Sequence, residues 1–216
     1  KDLRDVPSVV AGDRESRHSI ILAKSGPAKK YGIQTGEPLF QALEKCPNLE
    51  VIQPDYELYV EASRHFVAML RQFSPAVEQY SIDEAWVDMT GTERLWGAPR
   101  LAAEKMRRRI WEELGFTVNV GISSNKLLAK MAGDFEKPNK VHTLFPEEVS
   151  SKMWPLPVRD LFLVGPATQS KLNRMGIYTI GDLAKTDVNA LKKRLGKHGE
   201  TIWHFANGRN ADMVSS

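Results

Sequence analysis

Apolar and polar residues alternate along the chain in two ways, and together they predict a protein of mixed α and β structure. Short Val- and Ile-rich runs between turn residues predict strands, whereas apolar residues three or four apart predict helices. In residues 1–55 the pattern predicts strands at 6–11, 18–23 and 49–54, a turn at 12–16, a basic turn-rich loop at 26–38 and a short helix at 39–46.

The central segment, residues 56–145, carries the clearest periodicity. The pattern predicts helices at about 56–73, 99–114 and 124–135, and strands on both sides of a bend within 77–90, at 117–123 and at 140–145. This α-β-β-α-β-α-β order contains all of a split βαβ sheet of the ferredoxin-like kind except its first strand. We expect that strand within residues 1–55 or upstream of Lys1.

The last third of the chain is predicted to be helical. A short helix, a Gly-Pro turn and a helix at about 167–175 precede Gly176, which is a typical C-terminal stop. The stretch "LVGPATQSKL", residues 163–172, is typical of a helix-hairpin-helix, in which a tight turn and a helix N-terminus meet a DNA phosphate without reading bases. An ordinary connection between two helices explains the same residues.

Two adjacent carboxylates, Asp83 and Glu84, interrupt the strand-like stretch "YSIDEAWVDMT" at residues 80–90. Side by side on a straight strand they would face opposite ways, but a hairpin bend can direct both toward one point. A divalent cation would relieve their repulsion, and Mg²⁺ prefers a few carboxylates together with phosphates and water. The pair therefore suggests a magnesium site for phosphoryl transfer, although a polar hairpin tip also accounts for it. Asp88, further along, fits a structural hydrogen-bond acceptor better than a third ligand.

Two lysine-containing segments are candidates for contacts with phosphate. Lys126 and Lys130 are four residues apart on one predicted helix face, and Lys137 precedes Pro138, which favours an extended conformation outside the helix. The segment "AKSGPAKKYG" at 23–32 places Lys29 beside Gly and Pro. Solvated basic surface is the simpler explanation for the first segment, and an exposed turn is the simpler explanation for the second.

Composition and charge narrow the range of possible functions only slightly. The 216 residues suffice for one large or two small domains, and the single Cys46 excludes an internal disulfide, which fits a reducing, cytoplasmic setting. No apolar run reaches the roughly 20 residues of a membrane span. The net charge of +3 comes entirely from residues 146–216, which hold 10 basic and 7 acidic residues. This bias permits a polyanionic partner but does not require one.

Taken together, these blocks resemble the Y-family translesion DNA polymerases, of the bacterial polymerase IV kind. "YSIDEAWVDMTG" resembles the family's "SIDEAYLDVT", and "VNVGISSNKLLAKMAGDFEKPNK" resembles the block that follows it. "AKSGPAKKYGI" resembles the fingers segment, and residues 163–172 resemble the thumb hairpin. The four blocks occur in the family's order across nearly the whole chain.

The resemblance implies an α+β fold with a ferredoxin-like palm, small α/β fingers and a helical helix-hairpin-helix thumb. Residues 1–55 would be fingers, 56–145 palm and 146–216 thumb. Asp83 and Glu84 would be the catalytic ligands of two Mg²⁺ ions, and Lys29 and Lys137 would bind the nucleotide triphosphate. The implied DNA-binding residues are those of the hairpin, namely Gly165, Thr168 and Lys171.

The implied activity is template-directed addition of deoxynucleotides to a primer 3′ end during lesion bypass and DNA repair. Primer–template DNA and dNTP are the implied partners, with a sliding clamp as a further candidate through a region outside this chain, and no membrane is involved. Two alternatives stay open, namely a non-catalytic DNA-binding repair or scaffold protein of the same shape and, more weakly, a cyclase-like nucleotidyl enzyme.

Three departures from the family pattern stand out. The fingers loop has Gly26-Pro27-Ala28-Lys29 where the family has Tyr-x-x-Arg, so the Tyr contact and the bidentate Arg fork are absent. The first hairpin Gly of the family is Leu163 here. The family's first strand, with another metal-binding Asp and an aromatic that excludes ribonucleotides, has no match. We expect that strand upstream of Lys1 and a further DNA-gripping domain beyond Ser216, so the chain alone is expected to be inactive or impaired.

Overall fold

Helices and short strands follow one another in a computed structural model that describes residues 2–13 and 18–215. The chain divides into two units, Lys1–Val60 and Glu61–Ser216. The predicted turn at 12–16 lies outside the described residues from position 14 onward. The predicted boundary between palm and thumb at 145 stays a prediction, because the second unit runs through it.

The first unit is a three-stranded sheet with two short helices. Its elements are β1 (Ser8–Ala11), β2 (Ile21–Lys24), α1 (Gly26–Lys30), α2 (Leu39–Lys45) and β3 (Glu50–Ile52). The strand order is β2-β1-β3, with β1 antiparallel to β2 and parallel to β3. The apolar side chains of both helices and all three strands meet in one small core that includes the buried Cys46.

Helix α1 is a correction to the sequence prediction, which gave a turn-rich loop at 26–38. Ser25 caps this helix, since its Oγ accepts a hydrogen bond from Ala28 N at 3.2 Å and donates one to Val6 O at 2.7 Å. Pro27 suits the first turn of a helix, and Ala28 is fully buried. The cap and the buried methyl group of Ala28 therefore stabilise a helix in a segment whose Gly and Pro residues predict a turn.

Residues 56–145 contain the predicted α-β-β-α-β-α-β order with one additional short helix. The elements are α3 (Tyr56–Leu70), β4 (Val77–Gln79), β5 (Ala85–Val87), α4 (Glu93–Trp96), α5 (Pro99–Leu114), β6 (Val120–Ile122), α6 (Lys126–Gly133) and β7 (Val141–Thr143). Helix α5 matches its predicted bounds. Helix α3 ends three residues earlier than predicted, because Phe73 instead lies buried in the turn that follows.

These strands form two separate pairs. Strands β4 and β5 are antiparallel, β6 and β7 are parallel, and no pairing joins β5 to β6 within residues 2–13 and 18–215. In a ferredoxin-like sheet the strand before the first helix lies between the third and fourth strands, which are β5 and β6 here. The observed arrangement is thus the predicted α+β fold with the first palm strand missing.

The remaining elements are short helices that share one core with α6. They are 3₁₀ turns at Pro146–Glu148 and Val158–Asp160, a π turn at Val149–Met153, α7 (Pro166–Asn173), α8 (Ile180–Lys185), α9 (Val188–Leu195) and α10 (Lys197–Ala206). The core contains Leu128 and Met131 of α6 together with Leu172, Leu183 and Ile202 of the later helices. Helix α6 is therefore packed on both sides, against its own sheet and against the helical region.

Gly121 in β6 allows α6 to lie directly on the sheet. A Cβ atom at this position would overlap the carbonyl oxygen of Ala129 and lie 2.5 Å from the amide nitrogen of Gly133. Both obstacles are helix backbone, which cannot rotate away as a side chain could. A residue without a side chain is thus required where the helix crosses the strand.

We predict that Gly121→Ala lowers the free energy of unfolding by about 3 kcal/mol, or roughly 6–12 °C in Tm. The matched control is Gly133→Ala on the other side of the same contact, where a Cβ would meet only Gly121 N at an ordinary 3.7 Å. Thermal unfolding followed by circular dichroism measures both variants. Equal Tm values for the two variants would contradict the close packing described here.

Helix α8 begins with a capping box whose acid is pH-sensitive. Asp182 accepts hydrogen bonds from the backbone N–H groups of Thr179 and Tyr178, at 2.9 and 3.1 Å, and its own N–H donates to Thr179 Oγ1. The hydrogen bonds from Thr179 and Tyr178 hold the pKa of the Asp182 carboxyl below its usual range. A carboxyl with a lowered folded pKa stabilises the fold above its ordinary pKa and loses that effect as pH falls.

We therefore predict that Asp182→Ala lowers Tm by a few degrees at neutral pH, and that this difference shrinks as the pH falls through the lowered pKa. Thr179→Ala should keep most of the acid-dependent part, because the two backbone donors to Asp182 remain and only the Thr179 side chain is lost. Melting curves between neutral and strongly acidic pH test both variants. A difference between parent and Asp182→Ala that does not change with pH would show that the charge on Asp182 has no effect on folding.

Candidate functional site

The acidic pair lies in the bend between β4 and β5. The backbone N–H groups of Tyr80 and Ser81 both donate to the carbonyl of Glu84, at 2.9 and 3.2 Å, which closes a five-residue loop after Gln79. Strand β4 thus ends earlier than the sequence pattern predicted, and the acids belong to the loop. The strict alternation of a strand does not apply to them, which removes the geometric objection to a shared ligand.

The two carboxylates differ in their surroundings. Asp83 is exposed, and its Oδ1 accepts a hydrogen bond from Ser81 Oγ at 2.7 Å. Among the described residues no cation pairs with Asp83. Glu84 is half-buried, and its Oε1 lies 2.6 Å from Nζ of Lys130 in helix α6.

Lys130 belongs to a chain of four alternating charges. Its Nζ also lies 3.0 Å from Oδ2 of Asp134, whose other oxygen lies 2.7 Å from Nζ of Lys137. The predicted metal ligand Glu84 and the predicted nucleotide-binding Lys137 are therefore the two ends of one ion-pair chain. Each end carries a charge that is already partly compensated inside the protein.

Burial and charge oppose each other in the middle of this chain. Burial by itself would lower the pKa of the Lys130 ammonium, but the hydrogen bonds to Glu84 and Asp134 outweigh it and raise that pKa. Burial would raise the pKa of the Asp134 carboxyl, but Lys137 and Lys130 outweigh it and hold that pKa below its usual range. Both groups are thus charged at neutral pH.

The two lysines predicted to share one face of α6 both reach the β4–β5 hairpin. Lys126 Nζ lies 2.6 Å from Glu78 Oε1 and 4.5 Å from the ring centre of Trp86. The side chains of Lys126 and Lys130 are only 14% and 19% exposed. They are therefore ion-paired lysines between helix and hairpin, and not the solvated surface that was the simpler sequence interpretation.

The donor set at the hairpin suits a hard divalent cation. Asp83 and Glu84 offer carboxylate oxygens, and Mg²⁺ is commonly held by one or two carboxylates completed by substrate phosphates and water. No group of three or more His, Cys, Asp and Glu side chains in the described parts of the chain could hold a metal ion. Asp88 caps a turn, since its Oδ1 accepts from Thr90 N at 2.9 Å. The pair thus fits a metal that takes its remaining ligands from a substrate.

The remaining predicted nucleotide contact is in the first unit. Lys29 lies in the last turn of α1 and is exposed, and it forms no ion pair with any residue that the structure describes. The cap by Ser25 fixes the helix that carries it. An exposed, unpaired ammonium on a short capped helix is available to an anionic ligand.

The predicted DNA-binding residues run along α7, from Gly165 at its N-cap to Lys171 in its last turn. Gly165 is the N-cap, and the first N–H groups of a helix have no partner within it. Thr168 is half-buried with Oγ1 3.3 Å from Nε2 of His198, and Lys171 is exposed. Leu163, in place of the family's first Gly, has a φ of 68° and is 48% exposed. A left-handed conformation costs a non-Gly residue about 1–2 kcal/mol.

Sequence reasoning missed the link that Asp134 makes between Lys130 and Lys137. Lys130 and Asp134 are four residues apart, and Asp134 and Lys137 are three apart, and such spacings are typical of ion pairs on a helix. The bond from Lys130 to Glu84 joins residues 46 positions apart, and no local pattern reveals it.

None of the helices in the described parts of the chain has the length and apolar character of a membrane span.

The sequence of the chain matches known protein families. Residues 1–134 match the impB/mucB/samB family, and residues 159–210 match the thumb domain of DNA polymerase iota. DNA polymerase IV of Clostridium acetobutylicum is 52% identical over 214 residues, which are 99% of this chain and 54% of that protein. DNA polymerase IV 2 of Bacillus subtilis is 42% identical over 217 residues, covering 99% of this chain and 53% of that protein.

Solved structures share the fold. The crystal structure of DinB from Sulfolobus solfataricus matches with a TM-score of 0.84 and 27% identity, over 96% of this chain and 61% of that one. An insertion ternary complex of Dbh DNA polymerase matches with a TM-score of 0.84 and 26% identity, over 96% of this chain and 62% of that one. The chain spans about half the length of the curated relatives it matches. It belongs to the impB/mucB/samB family and is a relative of the Y-family DNA polymerases.

Proposed function

We propose that this protein is a template-directed DNA polymerase of the lesion-bypass class, which extends a primer 3′ end with deoxynucleotides. The observation that carries the proposal is the carboxylate pair in the β4–β5 bend, connected by ion pairs to Lys137 on the next block of the chain. The curated relatives are named DNA polymerase IV, and one structural neighbour is a ternary complex. These relatives are bacterial, and we propose a cytoplasmic protein that acts on damaged DNA.

Asp83 and Glu84 would hold the divalent cations, for which we propose two Mg²⁺ ions. When bound, such ions polarise the phosphate being attacked and neutralise the charge on the departing pyrophosphate. In the reaction the primer 3′-hydroxyl gives its proton to water and its oxygen bonds to the α-phosphorus. The bond from the α-phosphorus to the oxygen that bridges to the β-phosphate breaks, and pyrophosphate leaves. The protein's own part is to place opposite charges around these groups and to orient them.

Two lysines would bind the triphosphate of the incoming nucleotide. Lys137 lies outside α6, next to Pro138, and its side chain is 59% exposed although its ammonium pairs with Asp134. Lys29 would act as a second point charge. Both are single ammonium groups without the bidentate fork of an arginine, so we expect nucleotide binding that is governed by charge more than by geometry.

The start of α7 would grip the DNA backbone. Gly165 has an ordinary φ of −82°, and a Cβ atom built on it would meet nothing within 4 Å. The fold itself therefore does not need a glycine at this position. A glycine is useful here because it lets an outside group approach the backbone closely. Such a group could be a phosphate above the free N–H groups of the helix. Thr168 and Lys171 extend this surface along the helix.

The alternative of a non-catalytic DNA-binding repair or scaffold protein needs the same hairpin at α7 but no metal. The names of the relatives do not favour it. Primer extension separates the two functions.

We predict that the full-length gene product extends a primer with Mg²⁺ and dNTPs, and that Asp83→Ala slows extension by at least about a hundredfold, because metal charge stabilisation contributes several kcal/mol. Asp88→Ala, which alters an acid of the same hairpin outside the proposed site, should extend at close to the parental rate. Equal extension by the parent and Asp83→Ala would show that Asp83 is not a catalytic ligand. No extension by the parent, with DNA binding intact, would establish the non-catalytic alternative.

We predict that Gly165→Ala weakens binding to duplex DNA about tenfold, since hydrogen bonds to a charged phosphate contribute about 1.5–3 kcal/mol. Its Tm should stay within about 2 °C of the parent, because space is open around the new methyl group. Asn173→Ala at the other end of α7 is the control and should retain DNA affinity. Fluorescence anisotropy with a labelled duplex measures all three proteins, and unchanged affinity for Gly165→Ala would exclude the proposed phosphate contact.

A further inference from the structure

Lys130 forms an ion pair with only one of the two proposed metal ligands. Its ammonium lies 2.6 Å from Glu84 Oε1, whereas Asp83 pairs with no cation in the described parts of the chain. The side chain of Lys130 is only 19% exposed, so solvent screens this pair weakly. One proposed ligand is thus neutralised by the protein itself and the other is not.

A divalent cation and the ammonium would compete for the same carboxylate. A cation bound at Glu84 would lie within a few ångströms of Lys130 Nζ, and like charges at that distance repel strongly in a partly buried site. Lys130 has a second partner ready, because Asp134 Oδ2 lies 3.0 Å from the same nitrogen. The ammonium can therefore leave Glu84 and still keep Asp134 as a carboxylate partner.

Asp134 transmits this exchange to Lys137. Its two oxygens pair with different lysines, since Oδ1 lies 2.7 Å from Lys137 Nζ and Oδ2 lies 3.0 Å from Lys130 Nζ. When Lys130 no longer shares its charge with Glu84, it neutralises Asp134 more fully. The attraction of Asp134 for Lys137 then weakens, and Lys137 becomes available to another anion.

We propose that Lys130 is a positioning residue that neutralises Glu84 until a divalent cation replaces it, and then pairs with Asp134, which releases Lys137 for the triphosphate. This inference rests on the proposed function, because it needs a cation at the acidic pair and a nucleotide at Lys137. It assigns the ion-pair chain a role that an ordinary structural contact between α6 and the hairpin does not have. A merely structural Lys130 would affect folding stability but would not link a cation at the acidic pair to the affinity of Lys137 for a nucleotide.

The test is a titration of the full-length gene product with Mn²⁺, without nucleotide or DNA, followed by the electron paramagnetic resonance signal of free Mn²⁺. Lys130→Gln should bind Mn²⁺ about threefold to tenfold more tightly, because the competing charge is gone. Lys130→Arg keeps the charge and should bind as the parent does. The matched control is Lys126→Gln, which removes an equally short and somewhat more buried ion pair from the same helix face and should leave Mn²⁺ affinity unchanged.

A second measurement tests the link to Lys137. With primer–template DNA, Mn²⁺ and a non-hydrolysable dNTP analogue, Lys130→Gln should bind the analogue severalfold more weakly, because Asp134 then holds Lys137 alone. Adding Asp134→Asn to this variant should restore nucleotide affinity, because the competing carboxylate is removed. A double variant as weak as Lys130→Gln would overturn the proposed release of Lys137.

Asp83→Ala separates failure of this inference from failure of the proposed function. Weaker Mn²⁺ binding by Asp83→Ala together with unchanged binding by Lys130→Gln would leave the metal site in place and overturn the role of Lys130. Unchanged binding by Asp83→Ala would overturn both, since the cation would then bind elsewhere. Melting curves of each variant identify any that fails to fold, and Lys130→Arg, which retains the ion pairs, still tests the charge requirement.

Discussion

The proposed chemistry depends on compensating two adjacent negative charges in the β4–β5 bend. Lys130 compensates Glu84 from helix α6, and it can do so only because α6 lies directly on the sheet. Gly121 permits that approach, since any side chain there would collide with the helix backbone. The same helix also packs into the core of the C-terminal helices. The acidic bend, the sheet and the helical region are thus connected through one helix and its lysines.

Local signals in the sequence predicted most elements and their order. Helix α5 has the predicted bounds because Pro99 begins it and its apolar residues repeat at helical spacing. Helix α1 was missed because Gly and Pro suggested a turn, while the cap that forms it, Ser25, depends on a contact with the distant Val6. The acidic pair and Lys137 were recognisable by their motifs. Their connection through Lys130 and Asp134 was not, because Glu84 and Lys130 meet only when the hairpin and α6 fold together.

The structure explains the physical consequences of two departures from the family pattern, in the fingers loop and in the hairpin. Lys29 occupies a short capped helix, without an ion pair to any described residue, where the family has an arginine, so charge is retained and the bidentate geometry is lost. Leu163 adopts a left-handed conformation that glycine would adopt without strain, and it exposes an apolar side chain beside the start of α7. Gly165 remains, in open space, so the part of the hairpin nearest the free helix N–H groups is preserved.

The most direct measurement is the anomalous scattering of Mn²⁺ in crystals of the full-length gene product with primer–template DNA and a non-hydrolysable dNTP analogue. The account predicts anomalous peaks within bonding distance of the carboxylates of Asp83 and Glu84, next to the triphosphate. A complex in which DNA and nucleotide are bound, but Mn²⁺ is held without either carboxylate, would contradict it.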